Sequence, residues 1–135
     1  MVDDTELLAL AEAASCNAYA RYSGFAVGAV VVTEAGARYT GCNVENIAYP
    51  LGTCAERVAL GAAITAEGPA VRIAAIAIAA RQAGARQPCA PCGGCRQVIA
   101  ELAPTARVLF IGADGQPVAT TAQDLLPHAF SFTPR

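Results

Sequence analysis

Thr53-Cys54-Ala55-Glu56-Arg57 and Pro91-Cys92-Gly93-Gly94-Cys95-Arg96 are the stretches from which the rest of the chain reads outward. Each stands where a helical pattern begins. Thr53 opens a periodic run to about residue 67, stopped by Gly68-Pro69, and Cys92 opens another that ends near residue 102, ahead of Pro104. Between them residues 73–80 have the length and bounding signals of a buried strand, and residues 107–111 supply the next one. Upstream, residues 27–33 are almost wholly apolar, as befits a central strand. Glu34-Ala35-Gly36 turns that strand back into a second, residues 38–43, making a hairpin. Strand, helix, strand, helix, strand predicts right-handed crossovers and parallel strands, while the hairpin adds an antiparallel part. The expected fold is α/β, a three-layer α/β/α sandwich with a five-stranded mixed sheet.

The remaining segments fit around that frame. Residues 5–20 read as a helix, with Asp3, Asp4 and Thr5 as cap candidates and Leu7, Leu8, Ala11, Ala14 and Ala18 as its apolar stripe. Tyr22-Ser23-Gly24 breaks it. Residues 44–52 and 82–91 read as loops, 118–121 as a short last strand after the Asp114-Gly115 turn, and 123–126 as a turn of helix. The tail from His128 carries Phe130 and Phe132. No internal repeat or linker divides the chain, so residues 1–135 are expected to form one domain.

Bulk composition narrows the function classes. Apolar residues are 55% of the chain and mean hydropathy is +0.41, an excess that predicts a subunit interface. The longest apolar run, residues 73–80, is far too short to span a bilayer. Net charge is −2, with no basic tract, so no nucleic-acid partner is expected. The acidic start, Met1-Val2-Asp3-Asp4, has no signal-peptide character, which makes the cytoplasm the expected location. In a reducing compartment six cysteines point to metal binding or catalysis rather than disulfides.

Cys54, Cys92 and Cys95 offer three thiolates, and Glu56 offers a carboxylate two residues after the first of them. Structural zinc sites close all four positions with protein ligands, whereas catalytic sites use three and leave one open. Three thiolates and no obvious fourth therefore favour a catalytic zinc, one per chain. Such a set is electron-rich and poor at acidifying water unless charge is drawn off the sulfurs. Arg57 and two helix N-termini are placed to do that. Glu56 is then available to carry protons.

Rival readings attach to the same residues. Thr53 and Glu56 also have the spacing of a capping box, and Cys92 and Cys95 that of a redox pair. Cys89, Cys92 and Cys95 begin an iron–sulfur pattern, but position 99 is Ile, so its fourth ligand is missing. A zinc-stabilised interaction module would close the site with Cys89. Cys16 and Cys42 read as small core residues and His128 as a surface residue.

The paired motifs resemble the small homotetrameric zinc-dependent cytidine deaminases. The likeness extends to Tyr22-Ser23-Gly24-Phe25-Ala26-Val27-Gly28, Gly41-Cys42-Asn43-Val44-Glu45-Asn46, and Leu125-Leu126-Pro127 through Phe130. It implies hydrolytic deamination of cytidine and 2'-deoxycytidine, as in pyrimidine salvage. Cys54, Cys92 and Cys95 would hold Zn2+, Glu56 would shuttle protons, and Arg57 would support the ligands. Phe25 would lie against the pyrimidine, Asn43 and Glu45 would bind a ribose hydroxyl, and the Ala55 amide would hold the ring carbonyl. Ala48, Tyr49 and Phe130 would reach a neighbouring subunit's pocket in a homotetramer. Without the family, Phe25, Asn43 and Glu45 read as a core aromatic, a turn residue and a solvated charge. Ala26, Gly94 and His128 depart from the family's common Pro, Ala and Gly, and bear only on loop stiffness and tail geometry. A deaminase of blasticidin-type antibiotics is the alternative within the same fold.

Overall fold

The computed structural model describes residues 3–132. Helix α1 spans Asp4–Ser15, and its first free N–H groups are met by Asp3, whose carboxylate accepts the Glu6 N–H at 2.8 Å. The helix ends five residues earlier than its periodicity predicts. After Ser15 the N–H groups of Cys16, Asn17 and Ala18 bond to carbonyls three residues back, tightening the chain out of α geometry. Tyr19 is then captured by a distant partner: its N–H donates to the Asn43 carbonyl at 3.0 Å, and its carbonyl accepts the Glu45 N–H at 2.8 Å. Long-range pairing overrides local helical preference there. It also leaves Cys16 exposed at the helix end, where a core position was expected, and Cys42 only half-buried.

Strands β1 (Phe25–Thr33) and β2 (Arg38–Cys42) form the expected antiparallel hairpin. Helix α2 (Ala55–Glu67) follows the long loop, then β3 (Ile73–Gln82), helix α3 (Gly93–Leu102), β5 (Arg107–Ile111), β6 (Pro117–Thr121) and the single turn α4 (Ala122–Leu125). The five long strands run in the order β2-β1-β3-β5-β6. β3 and β5 are parallel neighbours, whereas β2 and β3 both pair antiparallel with β1 and so run parallel with that strand between them.

A sixth, short strand, β4 (Ala85–Gln87), lies in the stretch read as loop. It folds back on β3 through Ala83 and Gly84, whose φ values of 51° and 79° make a tight two-residue hairpin turn. Ala83 is not a residue that advertises positive φ, which hides this hairpin in the sequence.

The sheet is covered on both faces, and side-chain size differs between them. On β3, Ile76 and Ile78 point to the α2/α3 face, whereas Ala75, Ala77 and Ala79 point to α1. Small residues let α1 sit close. At Gly28 on β1 an added Cβ would lie 1.9 Å from the Ala11 carbonyl oxygen. On the opposite face Gly41 of β2 plays the same part for α2: a Cβ there would lie 2.5 Å from the Ala59 nitrogen and 2.6 Å from the Ala55 oxygen. The start of α2, which carries Cys54 and Glu56, is thereby seated directly on the β2 backbone.

Candidate active site

Both cysteine motifs sit at helix starts, one residue differently from the capping-box expectation. Cys54 is the N-cap of α2 and Cys92 the N-cap of α3, while Cys95 is buried in the first turn of α3. Thr53 does not cap. Its backbone instead pairs with Val44 in both directions, at 2.9 and 3.0 Å. Glu56 is the second residue of α2, and no side chain caps that helix. The carboxylate is therefore free of the capping role its spacing allowed.

The three sulfurs of Cys54, Cys92 and Cys95 lie within 4.8 Å of one another, and the Cys54 and Cys92 sulfurs are 3.9 Å apart. Tetrahedral zinc with Zn–S bonds of about 2.3 Å requires sulfurs about 3.8 Å apart. The set thus fits zinc in both donor type and spacing. Neither Glu56 nor Cys89 belongs to the group, so the closed four-thiolate site is not formed. N–H donors converge on the sulfurs: Arg57 Nη2 stands 3.8 Å from Cys54 Sγ, and the Cys95 N–H 3.5 Å from Cys92 Sγ. Burial opposes ionisation of Cys92, but this N–H and the neighbouring thiols outweigh it and bring its pKa down. Hydrogen bonding to Cys54 in turn pushes the Arg57 guanidinium further up, so it stays charged.

Above the thiols opens a pocket of about 390 Å³, lined by Phe25, Asn43, Glu45, Tyr49, Ala55 and Glu56, with Cys54, Cys92 and Cys89 at its base. The family model for the cytidine and deoxycytidylate deaminase zinc-binding region matches residues 1–111. The chain belongs to this deaminase family. It is 41% identical over 132 residues to a cytidine deaminase of Sporosarcina psychrophila, covering 96% of this chain and 93% of that one. Among solved structures it resembles the cytidine deaminase of Burkholderia pseudomallei, at a TM-score of 0.86 and 45% identity over 96% of this chain and all of that one. The Mycobacterium tuberculosis cytidine deaminase matches at a TM-score of 0.81 and 36% identity over 98% of this chain and all of that one. The α/β fold and the three-thiolate zinc site thus agree with the family in which the motifs placed the chain.

Within this deaminase pocket Glu56 is 4% exposed. Burial pushes its carboxyl pKa up, against the opposing pull of its own amide, the Cys95 thiol and the Arg57 charge. Burial, followed by the charge of Glu56 and the thiols of Cys92 and Cys54, pushes Cys89 up to about 12. It is a neutral thiol in the wall. Ala55 is the first residue of α2, and its N–H is one of those a helix cannot satisfy internally.

The sugar-facing candidates are more committed than their sequence suggests. Asn43 Oδ1 accepts the Val27 N–H at 2.8 Å and its Nδ2 donates to the Phe25 carbonyl at 2.9 Å. The Glu45 carboxylate accepts the Tyr22 and Ser23 N–H groups at 2.9 and 3.1 Å and the Ser23 hydroxyl. Tyr49, in the single 3-10 turn Tyr49–Leu51, lines this protomer's own pocket edge-on to Tyr22, with ring centroids 5.9 Å apart. Ala48 and Phe130 do not line it. Ala48 is held by the Asn46 side chain, and Phe130 lies on the surface against Phe132. His128 is exposed, as expected of a surface residue.

Two contributors escape sequence reading. Arg96 donates from Nε to the Pro91 carbonyl at 2.8 Å and from Nη1 to the Leu125 carbonyl at 3.2 Å, pinning the metal loop to α4. Its second partner lies 29 residues away, beyond any local signal. Ser23 is the other. A Ser-Gly pair just ahead of a strand is the available clue, since Ser commonly bonds the backbone two residues on.

Proposed function

We propose that the chain catalyses hydrolytic deamination of cytidine and 2'-deoxycytidine to uridine and 2'-deoxyuridine, with release of ammonia. The observation that carries this reading is Glu56: a buried carboxylate beside three zinc-spaced thiols, outside their group and facing a nucleoside-sized pocket. Cys54, Cys92 and Cys95 would hold the zinc, which would supply the Lewis acidity that makes water a nucleophile near neutral pH. Glu56 would take a proton from the water that adds to the amino-bearing ring carbon and pass it to the ring nitrogen. It then moves the second water proton to the amino group, which departs as ammonia and leaves the ring carbonyl. A carboxyl whose pKa is raised by burial suits this exchange, because it both accepts and returns a proton readily.

The other residues bind and orient. Phe25 forms the wall for the pyrimidine, the Ala55 N–H holds the ring carbonyl, and Asn43 and Glu45 take a sugar hydroxyl. Among the described residues no Lys or Arg lines the pocket, whereas Glu45 and Glu56 do. That lining favours a neutral nucleoside over the deoxycytidylate also named for the family.

The same reading extends to assembly. Ile47, Tyr49 and Leu51 are 80, 75 and 71% exposed on one loop, and Phe130 and Phe132 are similarly bare. Apolar side chains so clustered mark a surface that is covered. We infer a homotetramer in which Ala48, Tyr49 and Phe130 reach a neighbour's pocket, each chain being one domain over residues 1–135. Six unpaired cysteines accord with a cytoplasmic location, and no helix among the described residues is long and apolar enough to cross a membrane.

Ultraviolet monitoring of cytidine with zinc-replete protein tests the reading: the cytidine band should fall as ammonia appears. Glu56→Gln should keep its zinc and lose about 10²- to 10⁴-fold in kcat. A Glu56→Gln protein with full turnover sinks the mechanism. An intact, zinc-loaded wild type inert to cytidine would redirect the search to blasticidin-type aminopyrimidines.

A further inference from the structure

We propose that Ser23 is a positioning residue for the sugar end of this pocket, tying the Glu45 carboxylate to the backbone of Phe25. The inference rests on the nucleoside reading above and assigns a role to a residue outside the metal and proton-transfer machinery. A serine hydroxyl has one proton to donate and two lone pairs to accept with. Here Ser23 donates to Glu45 Oε2 and accepts the Phe25 N–H at 3.0 Å. The turn that permits this is held by Gly24, at φ 69°, whose N–H bonds the Ala20 carbonyl at 2.7 Å.

Counting acceptors shows what remains for a substrate. A carboxylate has about four acceptor sites. Glu45 Oε1 uses two on the Tyr22 and Ser23 N–H groups, and Oε2 uses one on the Ser23 hydroxyl. One acceptor site is left, on Oε2, for a single sugar hydroxyl. Phe25 is gripped at both ends of its backbone, its N–H by Ser23 and its carbonyl by Asn43. The base wall and the sugar acceptor are thus set relative to each other through one hydroxyl. The titratable groups sharing the pocket with Glu45 are Tyr49, Cys54, Glu56, Cys89 and Cys92. Tyr22 borders it at the rim, with Arg21 5.6 Å over its ring.

The test is steady-state kinetics of wild type, Ser23→Ala and Ser23→Thr on cytidine and its 2'-, 3'- and 5'-deoxy analogues. Ser23→Ala should raise KM for cytidine about tenfold, the scale of one charge-assisted hydrogen bond, with kcat changed less than about twofold. The penalty should vanish on the one analogue lacking the hydroxyl that Glu45 accepts, and Ser23→Thr should restore KM. An equal loss on all four substrates, or a loss confined to kcat, overturns the proposal. The carboxyl resonance of Glu45, followed by NMR against pH, gives a readout independent of turnover. Its titration should move up toward the ordinary carboxylate range in Ser23→Ala, and an unchanged titration overturns the tie. If wild type does not turn over cytidine, the functional reading fails by itself and the Glu45 titration still decides the role of Ser23.

Discussion

Glu56 and Cys89 are the residues whose surroundings separate rival chemistries. Spacing alone lets Glu56 close a capping box with Thr53, but the N-cap falls on Cys54 and Thr53 is spent on Val44, so the carboxylate faces the pocket. Cys89 likewise stands three residues before Cys92 but outside the thiol group. Cys89→Ala is therefore expected to keep one zinc per chain, with kcat within about threefold and a stability loss of about 1 kcal/mol for the half-buried thiol. Metal analysis together with a thermal melt checks it, and loss of zinc would argue for a closed structural site. Glu45 carries a pH prediction. The Ser23 hydroxyl above all holds its pKa below the ordinary value; desolvation opposes it, and the Ser23 and Tyr22 N–H groups add their smaller pulls downward. A depressed pKa means that the order this carboxylate imposes is complete above the unfolded-state value. That order is lost as pH falls through the lower folded value. Amide exchange at Tyr22 and Ser23 should therefore stay slow until pH drops below the usual carboxylate range, and Glu45→Gln should abolish that dependence.

At the scale of elements, the closeness of α2 to β2 decides whether the site exists. Gly41 leaves no room for a side chain beneath Ala55 and Ala59, and the atoms in the way are helix backbone, which cannot rotate aside. Gly41→Ala should cost about 1–3 kcal/mol by overpacking. By lifting the start of α2 it should lower kcat about a hundredfold or more. Gly61, in the same helix with open space around it, is the control: Gly61→Ala should stabilise by about 0.5–1 kcal/mol and leave kcat unchanged. Melting temperatures and kcat for the pair check both. Most elements were legible in the sequence because their periodicity is strong; the Ile/Ala alternation of β3 even indicates which face takes the closely packed helix. The end of α1 and the β3–β4 hairpin were not. One is set by Tyr19 pairing with residues 43 and 45, the other by a turn whose left-handed Ala83 gives no residue signal.

For the whole molecule, the two hydrophobic layers form without the thiol cluster: one lies beneath α1, the other beneath α2 and α3. Removing zinc with a chelator should therefore abolish turnover and lower the melting temperature while leaving far-ultraviolet circular dichroism near native at 25 °C. Added zinc should restore activity. Collapse of the dichroism on chelation would mean that the metal holds the fold, as in small zinc modules. In the assembly proposed above, the exposed Ile47, Tyr49 and Leu51 put the covered surface on the loop whose Tyr49 lines the pocket. That placement gives the apolar excess seen in the composition a location.

By itself the sequence determined the donor set, the order along the chain of the helices and the five long strands, and the family. Thiolate spacing, helix caps and hydrophobic periodicity are local properties, written within a few residues of one another. Tertiary structure alone decided that Cys54 and Cys92, 38 positions apart, bring their sulfurs to 3.9 Å. It also decided that Glu56 escapes its cap and that Asn43 and Glu45 are held by β1 and its preceding turn. These outcomes depend on which distant backbone groups find each other when α2 and α3 settle together on one face of the sheet and α1 on the other, and no local pattern encodes that competition.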